Sequence, residues 1–214
     1  MKKVLIASMA LGATLTMASV SNADIATSLH NFSTWANGEI CLPCHTPHNA
    51  RGSYADAGPL WNHQLSTQTY TLYTSPTFDG TATVTQPASS SKACLSCHDG
   101  TVALDAFGYN TDGSLKTTGS INITNTTAVL GTNLSNDHPI SFDYVAAQTL
   151  DNGIRSASTA TGIPYKDGSI SQAMLFGNMM ECGSCHDVHN KYGITSLLKK
   201  SNAASALCLT CHIK

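Results

Sequence analysis

Apolar residues along this chain come in short, broken pieces. Residues 66–92 read "STQTYTLYTSPTFDGTATVTQPASSSK" and residues 111–137 read "TDGSLKTTGSINITNTTAVLGTNLSND". Thr, Tyr and Val alternate there with small polar residues, which predicts short strands or extended loops, and Asp79-Gly80 and Asp112-Gly113 mark turns. Helical periodicity is confined mainly to residues 169–186, "SISQAMLFGNMMECGSCH", and 201–212, "SNAASALCLTCH", with Ser169 or Ser171 and Ser201 as candidate N-caps. Met174, Met179 and Met180 crowd together there as the apolar side of a helix leading into Cys182. The expected architecture is mostly coil with short α-helices and a few short strands, too sparse in regular elements to build an ordinary core.

One apolar run is long. Lys2 and Lys3 precede Val4 to Val20, and Ser21-Asn22-Ala23 closes it, which is the layout of a secretory signal with a small-residue cleavage site. The alternative, an uncleaved membrane anchor, fits less well because the run contains several Ser and Thr. Residues 1–23 are therefore read as the signal peptide and residues 24–214 as a single domain. The protein is expected to be exported, at the outer cell surface or extracellular, with the periplasm as the alternative.

Only 11% of residues are charged. Without Lys2 and Lys3, nine Lys and Arg face thirteen Asp and Glu, a net charge of −4 that makes nucleic acid an unsuitable partner.

Eight cysteines in an exported chain would ordinarily suggest disulfides. Their spacing argues otherwise: Cys41/Cys44, Cys94/Cys97, Cys182/Cys185 and Cys208/Cys211 are each two residues apart, and each pair is followed at once by His45, His98, His186 or His212. Cys-x-x-Cys-His is the attachment site of c-type haem, in which both thiols join the porphyrin and the imidazole takes the iron from one face. Tetrathiolate zinc needs no histidine after each pair, and thiol redox motifs do not come in fours. Four covalently bound haem c groups, with His45, His98, His186 and His212 as proximal iron ligands, account for every cysteine. The first cysteines are 53, 88 and 26 residues apart, so the motifs are not tandem repeats. Burial of porphyrin faces would replace the missing core, and the chain should not fold without haem.

Five histidines remain for four distal positions: His30, His48, His63, His138 and His189. Two strong axial ligands suit an iron that only carries electrons, and the surplus of imidazoles favours electron transfer over an enzyme with an open iron. No catalytic residue is assigned. His48 follows His45 by three residues, and about 10 Å of chain cannot pass around a porphyrin rim to the same iron, so His48 should serve a different one. His189 repeats this arrangement after His186. Such short links would hold two pairs of rings close together. His138 is preceded by a polar turn at Asn136-Asp137 and followed by Pro139, which aims the imidazole. His30, near the mature terminus, is preferred to His63, whose neighbours suit a solvent-facing or propionate-bonding role equally well. The distal set is therefore His30, His48, His138 and His189, with His63 spare or alternative.

The segments "SLHNFS", "ICLPCHTPHN", "PLWNH", "CLSCHDG", "NDHPISFDY" and "MECGSCHDVHN" together resemble those of small exported multihaem cytochromes with doubled Cys-x-x-Cys-His motifs. They are most similar to the OmcE-like tetrahaem extracellular cytochromes that polymerise into electron-conducting filaments, or nanowires, in metal-reducing bacteria. The resemblance implies a multihaem cytochrome wrapped around a stack of four bis-histidine haems, carrying respiratory electrons to redox partner proteins and extracellular acceptors such as metal oxides. It also implies self-assembly into a homopolymer, with His30 placed to ligate a haem of the neighbouring subunit. The ninth histidine departs from that pattern. A monomeric periplasmic shuttle is the first alternative, and a multihaem oxidoreductase with one open iron the second.

Overall fold

A computed structural model describes residues 24–50, 57–164 and 168–213, and the signal read at residues 1–23 lies outside them. Turns and irregular coil dominate. The α-helices among the described residues are α1 (Ser89–His98), α2 (Tyr144–Leu150), α3 (Ile170–Ala173), α4 (Cys182–Cys185) and α5 (Cys208–Cys211). Two short strands, β1 (Phe142–Asp143) and β2 (Met179–Met180), pair antiparallel with Phe142 opposite Met180. This is the mostly coil fold with short helices that the sequence predicts.

Residues 169–186 do not form one helix. Of the two candidates, Ser169 is the N-cap, in a capping box with Gln172, but α3 ends at Ala173, and Gly177 at φ +65 turns the chain back. Phe176 and Met179 exchange backbone hydrogen bonds across that turn, which puts Met179 and Met180 in β2 instead of a helix. The methionines still serve as packing: Met174 is 1% and Met180 4% exposed. Residues 201–212 are likewise broken, because Ala204 and Ser205 have positive φ before α5 begins. The Thr-rich stretches contribute isolated bridges, such as Thr71 with Asn133 and Tyr109 with Leu115, and no extended strand.

Among the described residues, apolar burial is split among three clusters. The largest packs Phe142, Tyr144, Ile163, Ile170, Met174 and Met180 between the small sheet and α3. A second joins Trp61 to Ala57 and Ala93, and a third joins Tyr70, Leu95 and Leu134.

Helix α1 holds two of the motifs together. It stops where Gly100, at φ +76, accepts the left-handed turn, its N–H bonding Cys97 O. Near its start, the Ser91 and Ser90 hydroxyls accept the N–H groups of Cys182 (2.9 Å) and Gly183 (3.2 Å), satisfying donors that the first turn of α4 cannot use itself. The approach depends on glycine: a Cβ on Gly183 would stand 2.6 Å from Phe176 Cζ and 2.8 Å from Ser90 Oγ.

Candidate haem-binding sites

Every motif makes one helical turn. His45 N bonds Cys41 O (2.9 Å), His186 N bonds Cys182 O (3.1 Å) and His212 N bonds Cys208 O (2.9 Å), while His98 ends α1. A turn of this kind puts residues i, i+3 and i+4 on one face, so two thiols and an imidazole are presented together. None of the eight cysteines is in a disulfide, so both sulfurs of every motif are available for thioether bonds. Burial pushes Cys44 and Cys185 up to about 11 and Cys97 to about 12.

The attachment sites are neighbours in chain order. The Cys94 and Cys182 thiols lie close enough to shift each other, Cys94 upward and Cys182 downward. Like-charge repulsion from Cys44 adds to the rise at Cys97, and repulsion from Cys211 adds to that at Cys185.

Three proximal imidazoles each face one of the remaining histidines. Ring centroids are 6.0 Å apart for His98 and His30, 6.2 Å for His45 and His189, and 6.3 Å for His212 and His138. Metal–nitrogen bonds of about 2.0 Å on opposite sides of one ion, plus about 1.1 Å from each nitrogen to its ring centre, separate trans imidazole centroids by about 6.2 Å. The three pairs have that spacing. Among the described residues no imidazole stands in ring contact with His186. His48 is exposed and lines a small cleft with Leu42, Asn62, Phe107 and Lys116.

Ring nitrogens divide the histidines in two. The Nδ1 atoms of His45, His98, His186 and His138 lie 2.7–2.9 Å from the carbonyl oxygens of Pro59, Ala128, Ser196 and Pro139. Nδ1 is thereby the donor, and Nε2 keeps its lone pair for a metal. His63 differs, because both nitrogens meet carbonyls, Nδ1 that of Gln64 (2.8 Å) and Nε2 that of Ala103 (3.0 Å). It is 2% exposed and its Nε2 is 3.6 Å from Cys97 Sγ, so it packs beside the second attachment site. Burial lowers His63, against the raising effect of its carbonyl partners and Asp105.

Burial also pushes His30 down to about 4, with His98 and His186 adding to the shift. That keeps the ring neutral, the state that binds metal. His189 moves the other way, raised by the Asp187 carboxylate 3.5 Å from its Nδ1.

The surroundings suit porphyrin. A cleft of about 240 Å³ opens beside Cys182, Cys185 and His186, lined by apolar side chains that include Leu72, Leu95, Leu134 and Met180. Two buried nitrogens, Trp61 Nε1 and His30 Nδ1, have no partner among the described residues, as expected of donors whose acceptors belong to a bound group. Three or more His, Cys, Asp or Glu side chains converge nowhere among the described residues, but a porphyrin iron takes only two protein ligands.

Sequence reasoning passed over three carboxylates. Asp99, 4% exposed, follows His98 and accepts from Ser66 Oγ, Tyr70 OH (2.7 Å), Thr101 N (2.7 Å) and Thr101 Oγ1 (2.8 Å), which holds it below the usual carboxylate range despite burial. Glu181, 3% exposed, is raised by burial, partly offset by Ser91 and Ser141. Asp187 lies beside His189. An acidic residue adjoining a motif was the available signal, visible at Asp99, Glu181 and Asp187 alike.

Residues 176–214, which carry the third and fourth motifs, match the doubled CXXCH motif family. No curated protein matches the chain. The motifs indicate covalently bound haem c, and the family match supports a multihaem c-type cytochrome in electron transfer.

Proposed function

We propose that this chain is an exported tetrahaem c-type cytochrome that relays electrons to extracellular acceptors and assembles into filaments of its own copies. One haem joins each motif. Bound haem iron supplies one-electron exchange between its ferric and ferrous states. The chain's residues clamp each ring through two thioethers and close the irons with imidazole, so that little geometry changes with redox state. His98 works with His30, His45 with His189, and His212 with His138. The observation that carries this reading is the spacing of those three pairs, 6.0 to 6.3 Å, in a chain whose motifs are 53 to 88 residues apart or as close as 26.

His186 and His48 complete the set. Both are exposed, and the Nδ1 of His186 is already capped by Ser196, which leaves its Nε2 for iron. His30 has an iron-spaced partner in its own chain, so the ligand exchanged between subunits is His48, reaching the iron of His186 in the next copy. A surface ligand joined to a different surface site makes a head-to-tail contact, which propagates into a filament when its rotation does not close a ring.

The test is a purified holoprotein. A pyridine haemochrome assay should give four haems per chain, and electron paramagnetic resonance should give low-spin ferric signals from filaments seen in negative stain. His48→Ala should abolish filaments while four covalent haems remain. Fewer than four haems, a high-spin majority that cyanide converts, or unchanged filaments in the variant would each defeat the corresponding part of the proposal.

A further inference from the structure

The His189 imidazole has its Nδ1 beside a carboxylate. Four others, His45, His98, His138 and His186, place Nδ1 within 2.9 Å of a neutral carbonyl. His189 Nδ1 instead lies 3.5 Å from Asp187 Oδ1, and the same oxygen accepts the His189 backbone N–H at 3.2 Å. The carboxylate does not float. Asp187 N bonds Leu197 O at 2.7 Å and Asp187 O accepts Asn190 N at 2.9 Å, so a tight turn fixes it, and its side chain is only 17% exposed.

A carboxylate acting on the far nitrogen of a metal-bound imidazole draws the N–H proton toward itself and raises the basicity of the ligating nitrogen. Greater electron donation, together with a fixed negative charge nearby, favours the ferric over the ferrous state. Asp99 offers no parallel at the second motif. Its oxygens are taken by Ser66, Tyr70 and Thr101, and His98 Nδ1 donates to Ala128.

We infer that Asp187 is a positioning residue that lowers the reduction potential of the iron held between His45 and His189, making it the electron-rich member of the set. The inference rests on the proposed assignment of His189 as the distal ligand opposite His45. Electron flow would then meet an uphill step on entering this haem and a downhill one on leaving, fixed by one side chain that touches no porphyrin-bearing cysteine. The motif's own spelling places it: Asp187 is two residues before His189 and directly after His186.

Spectroelectrochemical titration of the holoprotein tests this. In Asp187→Asn, one of the four one-electron steps should move positive by about tenfold in its equilibrium constant, or 59 mV, and by more than any other step, with every ferric signal still low-spin. Asp187→Glu should restore most of the original value, which a purely structural role would not require. Four unmoved steps, or one equal shift in all four, overturn the inference while leaving the ligand assignment intact. His189→Met separates the two: one haem should gain the charge-transfer band of a methionine–iron bond. Absence of both that band and any new high-spin ferric signal means His189 ligates no iron, and the assignment fails together with the inference.

Discussion

Replacing Asp99 with asparagine probes how the polypeptide holds the second attachment site. Its carboxylate is nearly inaccessible and receives the Ser66 hydroxyl, the Tyr70 phenol, the Thr101 amide and the Thr101 hydroxyl. Those bonds tie residues 66–70 to the end of α1, directly after His98. An amide of the same size has one oxygen. Whichever way it is turned, two of the four donors lose their acceptor and meet an NH₂ group. Hydrogen bonds to a charged group contribute about 1.5–3 kcal/mol each, so Asp99→Asn should cost about 3 kcal/mol even at the lower value.

The expected pH dependence follows from the direction of the Asp99 shift. Its folded-state pKa is depressed, so its stabilisation is fully present above the unfolded value of about 3.9 and is lost as pH falls through the folded one. Guanidinium unfolding of wild-type and variant holoprotein, followed by the haem absorption bands at pH 7 and at steps below pH 4, measures both effects. The wild-type should lose stability in the acid range and converge on the variant, which should lack that part of the slope. An unchanged midpoint at pH 7, or identical acid slopes, would refute the reasoning and show the cluster to be solvated in solution.

Gly183→Ala forces a Cβ to within 2.6 Å of Phe176 and 2.8 Å of Ser90 Oγ, and should destabilise the holoprotein by about 1–3 kcal/mol in the same unfolding assay. His63→Phe should retain four low-spin haems by resonance spectroscopy, because both His63 nitrogens are engaged by carbonyls, while losing stability by about 1–3 kcal/mol for the carbonyls left bare. His30→Ala should open one iron, read as a single high-spin ferric signal that cyanide removes, with the covalent haem count unchanged at four.

Some of this was readable in order and some was not. Ser169 could be named only as an alternative to Ser171, because either serine opens the apolar-periodic run, and the capping box with Gln172 decides for Ser169. The helix expected beyond it was wrong because periodicity cannot weigh a Gly177-Asn178 reversal against three apolar methionines; pairing with Phe142, some forty residues earlier, decided the matter for β2. The extension of α1 back to Ser89 was not legible, since "SSSKACLSCH" has little amphipathic pattern, and its serines act on the backbone of α4. The short α2 carried a weak cue, Asp143 capping Ala146 N at 2.9 Å, inside a segment read for His138.

The sequence by itself determined the chemistry: two thiols and an imidazole at fixed offsets make a haem attachment site wherever the chain takes one helical turn, because the geometry is complete within five residues. Which histidine faces which was a different kind of fact. His30 beside His98, His189 beside His45 and His138 beside His212 are joined by no local rule. Tertiary structure alone decided them, together with the carbonyl that occupies each Nδ1 and the two that occupy His63, since backbone acceptors carry no mark in the residue letters and are brought to a ring only when distant coil is packed against it.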